Sequence, residues 1–340
     1  MRIILDGMGG DNAPAEIVKG AVQAAAEISD EIIIVGEPGA IRRELVDCGY
    51  QGEQITIKAA MDVITMHDSP VKAIRRKTDS SMVVGLNMLK DGEGDMLVSA
   101  GNTGALIVGA RLILGRIRGI DRPALASIYP DMTGGEPGLL VDAGASSESK
   151  ARNLLEYALM GSTFVEKVWG RENPRVGLVN LGAEESKGTS VTKDAYKMLA
   201  NSHMNFVGNV EGRDVPKGAC DVIVCDGFTG NVILKLTEGV SMSIFKLVKN
   251  ALKSSLKSLV GGALVKSNLT KLKEEFDYEE YGGAPVLGVN APVIKMHGSS
   301  NAKAVKSAIL RGLPYAREKV VDIIGKELLQ IEEFIEEEED

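Results

Sequence analysis

The chain has 340 residues, of which 44% are hydrophobic and 25% charged, a composition typical of a folded soluble protein. Its formal net charge of −8 argues against general nucleic-acid binding, which needs a basic face. The opening MRIILDGMGG has no signal-peptide pattern. The sequence contains no run of about 18 apolar residues, so a transmembrane helix is not expected. The three cysteines show neither CxxC spacing nor a disulfide framework. A cytoplasmic location is therefore expected.

Short apolar runs alternate with helix-like segments along the chain. The predicted strands cover residues 2–6, 31–36, 55–59, 95–100, 125–129, 138–144, 175–182, 205–210 and 221–227. Most are rich in β-branched residues, nearly continuous in hydrophobicity, and followed by Gly, Asp or Asn. Parallel strands covered by helices on both faces have this pattern. The sequence predicts a single α/β domain over residues 1–340, with a doubly wound, mostly parallel sheet.

Two segments depart from this alternation. Residues 241–273 hold seven lysines and no acidic residue, and we interpret residues 241–283 as a Lys- and Leu-rich helical insertion that projects from the body. Residues 332–340 hold seven acidic residues and are interpreted as a solvated acidic tail.

Four polar, glycine-rich loops follow predicted strands. They are DGMGGDNAP (6–14), SAGNTGA (99–105), NLGAEESKGTS (180–190) and DGFTGN (226–231). Ligands of open α/β sheets collect at the carboxyl ends of strands, and free N–H groups at helix starts bind anions. Four such loops at one sheet edge predict a site for phosphate or carboxylate. None has the GxGxxG or Walker pattern, so a nucleoside triphosphate is unsupported.

Individual side chains in these loops have both a structural and a functional interpretation. Lys187 is either a solvated loop lysine or the cation of the anion site. Asn231 either caps its own helix or holds a carbonyl oxygen as negative charge develops. His297 follows an apolar run and would add donors to the same site. The three histidines lack metal-ligand spacing, and no GxSxG elbow indicates an acyl-enzyme.

In chain order, these loops and several further motifs resemble the phosphate acyltransferase family PlsX. The motifs include DGMGGDNAP, RRKTDSSM, SAGNTGA, GNVEGRD, CDGFTGNVILK, YGGAPVLGVN and HGSSNA, and they extend to about residue 310. The resemblance implies a fold similar to that of phosphotransacetylases and of isocitrate and isopropylmalate dehydrogenases, in a homodimer without a cofactor. It also implies transfer of a fatty acyl group from acyl-acyl carrier protein to inorganic phosphate, which gives acyl phosphate for phospholipid synthesis.

The resemblance implies active-site roles for Lys187 and Asn231. The further candidates for binding phosphate or substrate are Gly9, Gly10, Asp11, Ser99, Asn102, Thr103, Asp226, His297 and Ser299. Three positions depart from the usual family pattern, with Gly7 in place of Ala, and Ser146 and Thr189 each in place of Asn. The last two are expected to alter hydrogen bonding near the site.

The lysine-rich segment is either a packing helix with a solvated face or a docking surface. On one helix at about 100° per residue, an apolar stripe lies beside Lys246, Lys249, Lys253 and Lys257. The lysines and the apolar stripe together would dock the acidic carrier protein or an anionic membrane surface, with an apolar tip at Leu259, Val260 and Leu264. The resemblance allows both, with peripheral contact at the inner face of the cell membrane and a downstream glycerol-3-phosphate acyltransferase as partner.

Two alternatives stay open at this point. One is a short-chain phosphotransacetylase that uses acyl-coenzyme A, and the other is a non-catalytic membrane-surface scaffold. The clustered polar loops favour an enzyme. Phosphate is nucleophilic near neutral pH, and a thiol with a pKa of about 8.5 leaves readily. Direct attack of phosphate on a thioester therefore needs positioning and oxyanion stabilisation rather than a triad or a metal.

Overall fold

The strands of the sheet are distributed along the chain from Arg2 to Lys295. The structure is a computed structural model that describes residues 1–275 and 282–339. Its strands are β1 (Arg2–Asp6), β2 (Glu31–Gly36), β3 (Ile55–Ala59), β4 (Met96–Ser99), β5 (Ala124–Tyr129), β6 (Gly138–Val141), β7 (Val176–Asn180), β8 (Phe206–Glu211), β9 (Val222–Val224), β10 (Ala284–Leu287) and β11 (Val293–Lys295).

Helices connect most of these strands and cover both faces of the sheet. They are α1 (Ala15–Ala25), α2 (Pro38–Asp47), α3 (Pro70–Arg76), α4 (Ser81–Lys90), α5 (Thr103–Gly109), α6 (Ala151–Trp169), α7 (Ser190–Ala200), α8 (Gly227–Leu252), α9 (Leu256–Glu275), α10 (Ala302–Arg317) and α11 (Val320–Glu339). A π-helical turn extends α5 over Ala110–Leu114, and a 3₁₀ turn occupies Val215–Lys217.

The side chains of β1 show why the strands are almost continuously apolar. Ile3 and Leu5 belong to a core that includes residues of α1, α6, α10 and α11, whereas Ile4 belongs to a second core that includes residues of α4 and α5. Successive side chains of a strand point to opposite faces, so a sheet with helices on both faces buries every position. The prediction of a doubly wound, mostly parallel α/β fold is confirmed.

The sheet reverses direction at its centre. The strand order is β3-β2-β1-β4-β11-β10-β5-β6-β9-β7-β8. The pairs β11–β10, β10–β5 and β5–β6 are antiparallel, and the others are parallel. The strands from β3 to β11 therefore run opposite to β6, β9, β7 and β8. The expectation that all four polar loops lie at one edge of a parallel sheet is wrong, because β1 and β4 run opposite to β7 and β9.

The lysine-rich segment forms two helices. The first, α8, starts at Gly227 and runs without interruption to Leu252, and α9 follows from Leu256 after a turn at residues 253–255. The predicted apolar stripe, which placed Leu252 and Leu256 on one continuous helix, is therefore wrong, because Leu252 ends α8 and Leu256 begins α9. Residues 276–281 of the predicted insertion lie outside the described residues. Residues 332–339 of the predicted tail continue α11, and residue 340 lies outside the described residues.

Candidate active site

A cavity of about 770 Å³ lies beside β5, where the two halves of the sheet meet. The loops after β1 and β4 contribute Asp11 and Thr103, and the segment after β11 contributes His297. From the other half, the loop after β6 contributes Gly144, and the first turns of α8 contribute Asn231. Three of the four predicted anion-binding loops thus reach one cavity, although their strands run in opposite directions.

Two glycines let α8 begin directly against the loop after β6. A Cβ atom on Gly230 would lie 1.9 Å from the carbonyl oxygen of Asp142, and one on Gly227 would lie 2.2 Å from that of Ser146. The carboxylate of Asp226 caps the helix by accepting from the Thr229 N–H at 2.9 Å. The polar, glycine-rich stretch DGFTGN is therefore an elbow that places the start of α8 in the cavity wall.

The loop after β6 is organised by the buried carboxylate of Asp142. It accepts hydrogen bonds from the N–H groups of Leu125, Gly144, Ala145 and Ser146 at 2.9–3.1 Å. The Ser146 hydroxyl donates to it at 2.9 Å. Burial raises the pKa of Asp142, and these donors counteract the rise. Ser146, one of the departures from the family pattern, thus fixes the loop that supports α8 and itself lines the cavity.

Lys295 supplies a buried cation at the end of β11. Its side chain lines the cavity but is only 6% exposed, and its amine donates to the Met296 carbonyl. Among the described residues, no carboxylate lies within ion-pair distance of this amine. Burial lowers the pKa of Lys295 to about 8, against the opposing charges of Asp6 and Asp11. A buried ammonium of this kind is stabilised by an anionic ligand.

His297 and Lys235 add donors to the same wall. The Ser299 N–H donates to Nδ1 of His297 at 3.2 Å, and the Ser299 hydroxyl lies 2.8 Å from that atom. Desolvation by the cavity wall lowers the pKa of His297, and Lys235 and Lys295 lower it further. Nδ1 of the ring thus accepts the hydrogen bond from the Ser299 N–H. Lys235 lines the cavity one helical turn after Asn231, and its amine pairs with Glu238 at 2.8 Å.

Several predicted phosphate ligands hold the loops together instead of lining the cavity. The Ser99 hydroxyl is buried and donates to Asp6 at 2.6 Å. Asn102 caps α5 through the Ala105 N–H and donates to backbone carbonyls, including that of Thr65. Asp226 is a helix cap, as described above. The side chains of Ser99, Asn102 and Asp226 therefore stabilise the loops and the helix starts through these hydrogen bonds.

Gly9 and Gly10 allow close approach within the loop after β1. A Cβ atom on Gly9 would lie 2.4 Å from a carboxylate oxygen of Asp6, and one on Gly10 would lie 2.9 Å from the Gly298 carbonyl oxygen. Gly10 also has a φ of +105°, which favours glycine. The Asp11 N–H donates to Gly298 at 2.7 Å, which joins this loop to the His297 segment.

Lys187 lies in the loop after β7 and is not among the residues that line the cavity. Its side chain is exposed, and its backbone N–H donates to Glu184 at 3.1 Å. The active-site role of Lys187 stays a prediction. Sequence analysis missed Lys235 and Lys295. The signal for Lys235 was its spacing of four from Asn231, which places both on one helix face. The signal for Lys295 was a charge at the end of an otherwise apolar strand.

The predicted docking surface lies away from the cavity, on α8 and α9. The side chains of Leu259, Val260 and Leu264 are 53%, 64% and 79% exposed, so they are not part of the protein's own core. The four lysines are exposed as well; they are Lys246, Lys249, Lys253 and Lys257. In the parts of the chain that the structure describes, no cluster of three His, Cys, Asp or Glu side chains is arranged to hold a metal ion.

Comparison with known proteins identifies the family of the chain. The family described as "Fatty acid synthesis protein" matches residues 1–322. A phosphate acyltransferase from Alkaliphilus oremlandii is 50% identical over 326 residues, which cover 96% of this chain and 97% of that protein. One from Clostridioides difficile is 47% identical over 326 residues, with 96% of each chain covered.

A solved phosphotransacetylase from Streptococcus pyogenes has a TM-score of 0.64 at 18% identity, and 94% of each chain is covered. At that identity the likeness shows the fold alone, and it agrees with the predicted phosphotransacetylase-like architecture. The close relatives and the family match confirm the resemblance seen in the motifs. The chain therefore belongs to the phosphate acyltransferase family and is an acyltransferase.

Proposed function

We propose that the chain transfers a fatty acyl group from acyl-acyl carrier protein to inorganic phosphate, which yields acyl phosphate for phospholipid synthesis. The observation that carries the proposal is the cavity that brings buried Lys295 together with Asn231, His297 and the start of α8. The names of the relatives support phosphate as the acceptor, and the family description supports a fatty acyl group.

Phosphate would bind between Lys295 and the amino-terminal end of α8. Gly227 and Phe228 bring the first turn of this 26-residue helix to the cavity. Helix N-termini favour anions, and a buried ammonium adds a full positive charge. Lys235 contributes less charge, because Glu238 pairs with it. Lys295 is therefore the main cation for phosphate.

The reaction would proceed by direct attack. A phosphate oxygen forms a bond to the thioester carbonyl carbon, and the carbonyl oxygen takes up the negative charge. The side-chain amide of Asn231 is the donor for this oxyanion, and His297 lies in the same cavity wall. The C–S bond then breaks, and the carrier-protein thiolate leaves and takes up a proton. Positioning and charge stabilisation supply the catalysis.

The test is an assay of the purified protein with inorganic phosphate and defined donors, with acyl phosphate trapped by hydroxylamine. We expect palmitoyl-acyl carrier protein to be turned over well and acetyl-coenzyme A poorly. Faster turnover of acetyl-coenzyme A would favour a short-chain phosphotransacetylase. Absence of acyl phosphate with every donor would contradict the proposal.

The pH dependence tests the role of Lys295. Its ammonium form binds phosphate, and the free enzyme loses this proton as the pH rises through about 8. We expect kcat/KM for phosphate to fall above about pH 8, approaching tenfold for each further pH unit. Phosphate is already dianionic in this range, so the decline would come from ionisation of a group on the enzyme and not of phosphate. The control is Lys295→Met, in which the decline should be absent; a flat wild-type profile would exclude this role.

Binding to a carrier protein, to a membrane or to another protein stays a prediction. The predicted docking surface on α8 and α9 supports the first two. None of the helices in the described part of the chain combines the length and the hydrophobicity that a transmembrane span requires. Exposed lysines beside exposed Leu259, Val260 and Leu264 suit an acidic carrier protein or an anionic membrane surface. Homodimer formation and contact with a glycerol-3-phosphate acyltransferase belong to the same set of predictions.

A further inference from the structure

The sheet is split beside the active-site cavity, between β5 and β10. These strands pair only at their ends, through Val286 with Leu125 and Leu287 with Ala124. Beyond this point β5 pairs with β6 through residues 126–129, whereas residues 284–285 of β10 pair only with β11. Pro285 has no N–H to offer a neighbouring strand. Residues 126–129 of β5 and residues 284–285 of β10 are therefore not paired with each other, and we call this unpaired stretch of the sheet the slot.

A second pocket, the rear pocket, lies on the opposite face of the sheet at this slot. Ala284 and Lys295 line the active-site cavity, whereas the adjacent residues Pro285 and Ile294 line the rear pocket. Neighbouring residues of a strand point to opposite faces, so the two spaces lie on either side of the sheet. Ile128 and Gly283 line both of them. The active-site cavity and the rear pocket therefore share part of their walls at the slot.

The rear pocket has about 300 Å³ of space and mainly apolar walls, with Arg311 as the one charged residue among the described residues that line it. Helix α6 contributes Phe164, Val168 and Trp169, and helix α10 contributes Leu310 and Pro314. The cations and polar donors described above lie on the other side of the sheet. A mainly apolar space behind a polar reaction centre suits an unbranched hydrocarbon chain.

We infer that the rear pocket binds the distal part of the donor's acyl chain, which passes through the slot beside Ile128 and Gly283. The thioester would then lie in the active-site cavity near Lys295. This inference rests on the proposed function, because it needs an acyl donor in that cavity. It assigns chain-length preference to the space between α6 and α10.

The experiment fills the rear pocket with Leu310→Trp and measures turnover of butyryl-, decanoyl- and palmitoyl-acyl carrier protein. Each methylene kept out of an apolar pocket lowers kcat/KM roughly fourfold. We therefore expect kcat/KM for the palmitoyl donor to fall at least about tenfold, while that for the butyryl donor stays within about twofold. The matched control is Leu45→Trp, a partly buried leucine on α2 that lines neither space.

Two additions keep the outcome decisive. Val168→Phe fills the same pocket from α6, and circular dichroism shows whether each variant is folded. Binding of a fluorescent long-chain fatty acid gives a readout without turnover, and we expect both filled variants to weaken it. Weaker fatty-acid binding in the filled variants would support the rear pocket as the acyl-chain site, whether or not any donor gives acyl phosphate. Absence of acyl phosphate with every donor would contradict only the proposed function. Equal losses for all three donors, or unchanged fatty-acid binding, would overturn the inference.

Discussion

Replacing Lys295 with Met is expected to lower kcat/KM for phosphate by about 10²–10³, the usual loss for a well-placed charge-stabilising donor. The amine is the buried cation of the cavity, and no described carboxylate neutralises it within ion-pair distance. Met has a similar length without the charge, so the fold should persist or become more stable once the buried ammonium is removed. Steady-state kinetics with varied phosphate measures the effect.

Lys58→Met is the control, because Lys58 is an exposed lysine on β3 that lies outside the cavity. A Lys295→Met variant that keeps kcat/KM for phosphate within about tenfold of wild type would show that the amine does not bind the nucleophile. The prediction from the motifs, that Lys187→Ala abolishes turnover with the fold intact, is tested in the same assay. The two results together decide which lysine the reaction uses.

Replacing Gly230 with Ala is expected to reduce both stability and activity. The added methyl would lie 1.9 Å from the Asp142 carbonyl oxygen and 2.9 Å from Sγ of Cys225, so α8 or the loop after β6 must move. Overpacking of this kind costs about 1–3 kcal/mol of unfolding free energy, and more where the backbone is in the way. The displaced helix would also carry Asn231 away from its place. Denaturant unfolding and the acyl phosphate assay measure the two effects.

Gly239→Ala on the same helix is the matched control. A Cβ atom at Gly239 would have no neighbour within 4 Å. The substitution should leave activity unchanged and stabilise the helix by up to about 1 kcal/mol, since alanine favours the helix more than glycine. If Gly230→Ala behaved like this control, the close contact between α8 and Asp142 would not be needed for the fold or the site.

The strands that run through both cores were predictable from hydrophobicity. The predicted ranges 2–6, 31–36 and 55–59 coincide with β1, β2 and β3. Strands β10 and β11 were missed because they have only four and three residues and are separated by the glycine- and proline-containing stretch GVNAP. The reversal of the sheet at β5 was also missed, since periodicity reports burial and not strand direction.

The candidate site was predictable where local backbone chemistry defines it. The elbow DGFTGN and the segment at His297 contain the small and polar residues that a helix start or a tight approach requires. Lys295 was not predictable in this way, because its importance comes from burial and from neighbours distant in sequence, such as Asp6. Ser99 and Asn102 were assigned to phosphate because a sequence does not show that their hydrogen bonds are already used within the loops.

Helix α8 starts in the wall of the cavity, contains 26 residues, and ends at the exposed turn before α9. At 1.5 Å per residue, it is a rod of about 39 Å. The close contact of Gly230 with the Asp142 carbonyl oxygen lies near one end of this rod. Because Asn231 and Lys235 lie on the same helix as Lys246 and Lys249, any tilt of α8 would move these lysines and the cavity wall together.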